Sequence, residues 1–151
     1  MEKFKFLEHT ADIKFKVFGK TIEDIFKNSA LALREAICNK IKVKLKKEKT
    51  IKVEGQDYES LFYKFLEEIL YLLDAEDFLI GKVKEIKING FKLNAVLIGD
   101  KASNYKFTNS VKAITYNDMF VKRQKAKPLA SSSKKQTKEK DKWISEFVLD
   151  V

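Results

Sequence analysis

Residues 12–38 read Asp-Ile-Lys-Phe-Lys-Val-Phe-Gly-Lys-Thr-Ile-Glu-Asp-Ile-Phe-Lys-Asn-Ser-Ala-Leu-Ala-Leu-Arg-Glu-Ala-Ile-Cys, and their hydrophobic period changes partway along. From Asp12 to Phe18 it is two: Ile13, Phe15 and Val17 point one way and Asp12, Lys14 and Lys16 the other, which predicts a half-buried strand. Gly19-Lys20 turns the chain, and Thr21 is a fair N-cap with Asp24 three residues on. Then Ile22, Ile25, Phe26, Ser29, Ala30, Leu33 and Ile37 recur at helical spacing, predicting an amphipathic helix over 22–38. A strand feeding directly into a helix sets the theme for the chain.

Working outward, residues 3–7 alternate as a strand, and Val43/Leu45 and Ile51/Val53 read as strand again. Asp57 caps a second helix, whose apolar stripe runs through Leu61, Phe62, Phe65, Ile69, Leu72 and Leu73 to about Asp74. Residues 82–88, 91–98, 111–121 and 143–149 are β-branched or aromatic segments. Asn89-Gly90 is the strongest short hairpin signal among them. The order β-β-α-β-α-β-β-β-β predicts an α+β fold: a two-layer domain over residues 1–151, with a mainly antiparallel sheet covered on one face by two helices.

The chain has 151 residues, 44% of them hydrophobic, which is ample for one core. The single cysteine, Cys38, excludes an internal disulfide and any multi-cysteine zinc or iron–sulfur centre. No signal-like segment opens the chain, and its longest apolar helical run is far short of the roughly 20 residues that cross a bilayer. The expectation is a cytoplasmic protein with no membrane association. The formal charge of +9 is unevenly spread: residues 122–142 hold nine Lys/Arg against Glu139 and Asp141, which accounts for +7 of it. Residues 123–142, with the only proline and a serine run, read as a long flexible basic loop between two strands. Clustered lysines can contact RNA by neutralising phosphates, or simply solubilise a loop, and the sequence favours neither.

Gly19-Lys20-Thr21 ends like a phosphate-binding loop, but the glycine required five residues before Gly19 is replaced by Lys14, inside a strand. Nucleotide binding there is rejected. With one histidine and one cysteine far apart, a histidine-based nucleophile relay has little to work with, and Cys38 suits the core. His9-Thr10-Ala11-Asp12 holds the only histidine in a turn, where such residues often just satisfy backbone groups. The C-terminus adds a second observation, because residues 143–151 are strand-like to the end with no polar tail. If that strand lies antiparallel beside residues 12–18, then Asp12, Asp150 and the α-carboxylate of Val151 converge. Three carboxylates would need a cation, and oxygen-only ligands favour Ca²⁺ or Mg²⁺. The plainer alternative is a frayed end carrying unrelated charges.

Glu8-His9-Thr10-Ala11-Asp12-Ile13 resembles the opening signature of the archease family. The resemblance continues through Ala30-Leu31-Ala32-Leu33, Leu61 to Leu72, Val111-Lys112-Ala113-Ile114-Thr115-Tyr116, and Phe147-Val148-Leu149-Asp150-Val151. It spans the chain apart from the basic loop. It implies an accessory protein, not an enzyme, that activates the tRNA-splicing RNA ligase joining 2′,3′-cyclic-phosphate or 3′-phosphate ends to 5′-hydroxyl ends. That ligase is guanylylated on a histidine, and the family promotes this step and multiple turnover and can widen nucleotide choice. It further implies a divalent metal, Ca²⁺ ahead of Mg²⁺, on Asp12, Asp150 and Val151, with His9, Lys112 and Tyr116 as candidates for the functional surface. Two departures stand out: Asn117 occupies a position that is commonly His in the family, and the 123–142 loop is long. The competing expectations are a metal-dependent phosphohydrolase using Asp12 and Asp150, and a sequence-tolerant RNA chaperone working through the basic loop.

Overall fold

A computed structural model describes residues 2–7, 12–125 and 142–151. The elements run β1 (Phe4–Leu7), β2 (Asp12–Gly19), α1 (Ile22–Cys38), β3 (Lys47–Glu54), α2 (Tyr58–Glu76), β4 (Phe78–Asn89), β5 (Lys92–Lys101), a 3₁₀ turn (Ala102–Asn104), β6 (Ala113–Gln124) and β7 (Lys142–Asp150). The fold is α+β and every strand pairing is antiparallel. The strands divide into two sheets, a four-stranded one in the order β1-β2-β7-β6 and a three-stranded one in the order β3-β5-β4. Both helices pack on both sheets, which lets two short amphipathic elements close one core.

Local sequence accounts for the helix starts. The Thr21 hydroxyl accepts the Asp24 amide at 3.1 Å. Asp57 builds a reciprocal box: its carboxylate accepts the Ser60 amide at 2.7 Å, while the Ser60 hydroxyl accepts the Asp57 amide at 3.1 Å. The bonds from Ser60, the amide first, hold the Asp57 carboxyl below its ordinary value of 3.8. A folded value below the unfolded one means this contribution is present above pH 3.8 and lost as the pH falls through the folded value. Asp57→Ala should therefore cost about 1 kcal/mol near neutrality. In urea titrations the gap from the wild type should close below about pH 3.8; a gap unchanged down to pH 2 would mean that something other than the charged cap is lost.

The core is a relay of rings. Phe15 of β2 meets Phe147 of β7 at 5.5 Å between centroids, Phe147 meets Phe62 of α2 at 5.7 Å, and Phe62 meets Phe26 of α1 at 5.3 Å. Phe26, Phe62 and Phe147 are fully buried. The odd-numbered residues of β7, Ser145, Phe147 and Leu149, face this core with Phe15 and Val17. The opposite parity, which carries Asp12 and Asp150, therefore lies on the face away from the helices.

Three sequence expectations need correction. Val43 and Leu45 are not in a strand; the 41–46 segment is irregular. The Lys44 amide is taken by the Tyr105 hydroxyl at 2.9 Å, so a side chain replaces the ladder there. Several ends also lie beyond or short of the expected ones: α2 runs to Glu76, β4 starts at Phe78, and Val111 and Lys112 precede β6. The hairpin turn is shifted by one residue, since Asn89 pairs with Lys92 and leaves Gly90-Phe91 as the loop. Gly90 has φ +61° and Phe91 is not among the positive-φ residues, the signs of a II′ turn with glycine first.

Candidate functional site at the joined strand ends

The site follows from register. β2 and β7 pair with Asp12 opposite Asp150, and β7 and β6 pair with Asp150 opposite Ala113. Directly opposed residues put their side chains on one face with Cβ atoms roughly 4.5–5.5 Å apart, and like charges so placed repel. Two carboxylates are thus brought together by residues 138 positions apart in sequence. Lys112 joins them through the backbone, its amide donating to the Asp150 carbonyl at 2.7 Å. Asp150 is exposed, Asp12 is half-buried, and Val151 is half-buried against the edge of the core. Farther along the same face the register places Lys14 and Glu146, whose side chains form an ion pair at 3.4 Å.

The donors are carboxylate oxygens, the chemistry of a hard divalent cation. Among the described residues, no group of three or more His, Cys, Asp and Glu side chains is placed to hold a metal ion. Asp12 and Asp150 are the two carboxylate side chains that the strand register sets opposite one another there. His9 lies outside the described residues, as does residue span 126–141 of the basic loop.

Tyr116 sits elsewhere on the same edge strand. Thr115 pairs with Val148 and the next pair is Phe120 with Glu146, so Tyr116 to Met119 bulge out opposite Phe147 alone. Asp118 takes a left-handed φ of 61°, which Asn and Asp tolerate better than other non-glycine residues. Asn117-Asp118 inside an otherwise β-forming run is the sequence signal for this bulge, and sequence reasoning passed over it. Tyr116 is half-exposed and packs edge-on against Tyr63 of α2 at 5.4 Å. The Tyr63 hydroxyl is pushed up in pKa, chiefly by its hydrogen bond to Glu67, then by burial. Neither Tyr63 nor Glu67 was singled out from the sequence; the i, i+4 spacing along α2 places them together. Asn117 is exposed in the bulge.

Cys38 is fully buried, its thiol donates to the Arg34 carbonyl at 3.4 Å, and burial pushes its pKa up. That combination makes a packing residue rather than a nucleophile. Among the described residues, no helix is long and apolar enough to cross a membrane.

The comparison with known proteins matches this layout from end to end. Residues 4–151 match the Archease protein family (MTH1598/TM1083). Protein archease of Pyrococcus furiosus is 44% identical over 128 residues, covering 82% of this chain and 90% of that one. Protein archease of Thermococcus kodakarensis is 36% identical over 156 residues and covers both chains completely. The solution structure of Methanobacterium thermoautotrophicum protein 1598 superposes with a TM-score of 0.73 at 24% identity over the whole of both chains. The crystal structure of an archease, possible chaperone, from Thermotoga maritima gives 0.58 at 20% identity over 97% of this chain and 96% of that one. With the family's profile spanning both strands that carry the opposed carboxylates, and with relatives well above 30% identity over most of their length, the chain belongs to the archease protein family.

Proposed function

We propose that this protein is a non-catalytic accessory factor that activates the tRNA-splicing RNA ligase by contact, promoting guanylylation of the ligase histidine and repeated turnover. The observation that carries the reading is the Asp12–Asp150 register in a chain of the archease family. The description of the Thermotoga maritima protein as a possible chaperone agrees with an assisting role. The buried Cys38 and the absence of a phosphate loop at Gly19-Lys20-Thr21 give the chain no evident nucleophile or nucleotide cradle of its own.

Asp12, Asp150 and the Val151 carboxylate would hold a divalent cation, Ca²⁺ ahead of Mg²⁺, because the donors are all oxygen and the strand ends tolerate irregular coordination. When bound, that cation supplies positive charge to a cluster of like charges and a Lewis-acidic point for oxygen ligands. Lys112, just before β6, and Tyr116, in its bulge, are exposed and with His9 form the proposed contact surface for the ligase. The compartment in which this happens is the cytoplasm, in keeping with a lone reduced cysteine.

Purified protein mixed with its cognate ligase at a tenth of the ligase concentration should raise the number of ligations per ligase well above one. Alone it should ligate nothing and hydrolyse no phosphodiester, with or without Ca²⁺. A ligase that turns over equally often without it refutes the proposal. Metal-dependent hydrolysis by the protein alone would put the phosphohydrolase reading in its place.

A further inference from the structure

Between α1, the 41–46 segment and β4 lies a groove of about 890 Å³. Its lining includes Lys3, Arg34, Lys42, Lys44, Lys46 and Lys82 and, among the described residues, no carboxylate. Outside residues 122–142 the chain is nearly neutral, with a net charge of only +2 from an almost even pool of acids and bases. Six cations around one cavity therefore represent segregation of charge rather than general basicity. None of these side chains is among the described salt bridges, which use Lys14, Lys49 and Lys84 instead. The five lysines are exposed, and of them Lys46 also feels the charge of the Asp100 carboxylate beneath the segment.

The groove is held in shape from beneath. The Tyr105 hydroxyl accepts the Lys44 amide at 2.9 Å and donates to the buried Asp100 carboxylate at 2.7 Å. The Lys46 amide donates to the Gly99 carbonyl at 2.8 Å. These bonds fix the backbone of the lysine-bearing segment on β5 although it forms no strand. Arg34 donates through Nη1 to the Gly81 carbonyl at 3.2 Å, while its buried Nε has no hydrogen-bond partner.

We propose that this groove binds the phosphodiester backbone of a single RNA strand without sequence preference. Lysine and arginine side chains are donors only, so the groove offers charged donors and no side-chain acceptors. The phosphate groups of a nucleic-acid backbone are acceptors only, which complements such a surface. An acidic peptide brings one N–H per residue, which would find no side-chain acceptor here, so the lining fits nucleic acid better than protein. Leu31, Val43 and Leu45 add an apolar floor. A single strand has unpaired base faces to lay against it, whereas a duplex presents mainly sugars and phosphates. Among the described residues no aromatic lines the groove, which removes base stacking there and with it most sequence preference. The choice of RNA over DNA rests on the proposed function; the charge pattern does not depend on it.

The test is fluorescence anisotropy of the full chain with a labelled twelve-nucleotide RNA, titrated at several salt concentrations, with no ligase present. Each phosphate engaged contributes about −0.7 to the log–log salt slope for a single strand. The triple substitution Lys42→Gln/Lys44→Gln/Lys46→Gln should flatten that slope by about 2 and weaken binding at least tenfold at low salt. Its melting temperature should stay near that of the wild type, because the three side chains are exposed and the bonds that hold the segment are made by its backbone. A parallel variant, Lys134→Gln/Lys135→Gln/Lys138→Gln in the basic loop, should change the slope less. The proposal is overturned if the groove variant binds RNA as the wild type does, if the loop variant alone removes the salt dependence, or if a glutamate-rich peptide competes better than unlabelled RNA. RNA binding by the wild type that the groove variant loses, in a protein that never activates a ligase, would leave the groove standing and remove the proposed function. Full activation of a ligase by a chain that binds no RNA would do the reverse.

Discussion

Calcium at a hundredfold excess over its dissociation constant should stabilise the protein by about 2.7 kcal/mol if it binds only the folded state. For a domain of this size that is a rise in melting temperature of several degrees, at roughly 2–4 °C per kcal/mol. Asp12 and Asp150 are directly opposed on the sheet face away from the helices, at the first of the eight residue pairs that join β2 to β7. The strand ladder therefore sets the two carboxylates opposite one another whether or not a cation is present. Asp12→Asn should abolish most of the calcium-induced rise while raising the melting temperature of the metal-free protein, since one repelling charge is gone. A short extension after Val151 should weaken calcium binding as well, because a neutral amide carbonyl would stand where the proposal places a carboxylate. An N-terminal tag should have no such effect. Calorimetry of the four chains with Ca²⁺ and Mg²⁺ separates these contributions. A C-terminally extended protein that responds to calcium as the wild type does would remove Val151 from the site, and an Asp12→Asn protein that does so would remove the site altogether.

The second large effect is expected far from that site, where β4 and β5 cross most closely. A Cβ built on Gly99 would lie 2.0 Å from the Leu79 carbonyl oxygen and 3.0 Å from the Gly81 amide nitrogen, both backbone atoms in the paired strand. Nothing there can rotate away, so the two strands would have to separate. The β4 ladder is already irregular at this point, with a register shift between Ile80 and Lys82 that passes over Gly81. Gly99→Ala should cost about 3 kcal/mol, the upper part of the usual range for overpacking, and lower the melting temperature by roughly 6–12 °C. Gly90→Ala makes the contrasting control: its Cβ would meet nothing within 4 Å, so only the positive φ opposes it. Thermal melts that show Gly99→Ala no less stable than Gly90→Ala would contradict the crossing geometry. The same strand carries the Gly99 carbonyl that accepts the Lys46 amide, so this close approach also sets the position of the basic groove.

The joined strand ends and the basic groove differ in how they could be reached from the sequence. The opposition of Asp12 and Asp150 was legible because each lies at the end of a strand-forming segment, so only the pairing of two strands had to be assumed. Tyr116 was singled out by resemblance alone, and its contact with Tyr63 was not legible, because it depends on a bulge that interrupts the regular alternation. The groove was not legible at all. Lys42, Lys44 and Lys46 alternate with Val43 and Leu45 just as a solvated edge strand would, and nothing local says that Arg34 and Lys82 stand across from them.

By itself the sequence determined the elements that depend on neighbours within a few residues. The helix starts at Thr21 and Asp57 rest on caps whose donors lie three residues on, and the buried faces of α1, α2 and β2 rest on periodicity. Only the tertiary structure decided what depends on groups distant in the chain. The division of the strands into two sheets follows from which edges meet, a choice that hydrophobic alternation leaves open. Val43 and Leu45 have a strand's pattern but no ladder, because the Tyr105 hydroxyl, 61 residues away, takes the Lys44 amide first. A backbone donor is satisfied by whichever acceptor the fold brings to it, and its own sequence cannot name that acceptor.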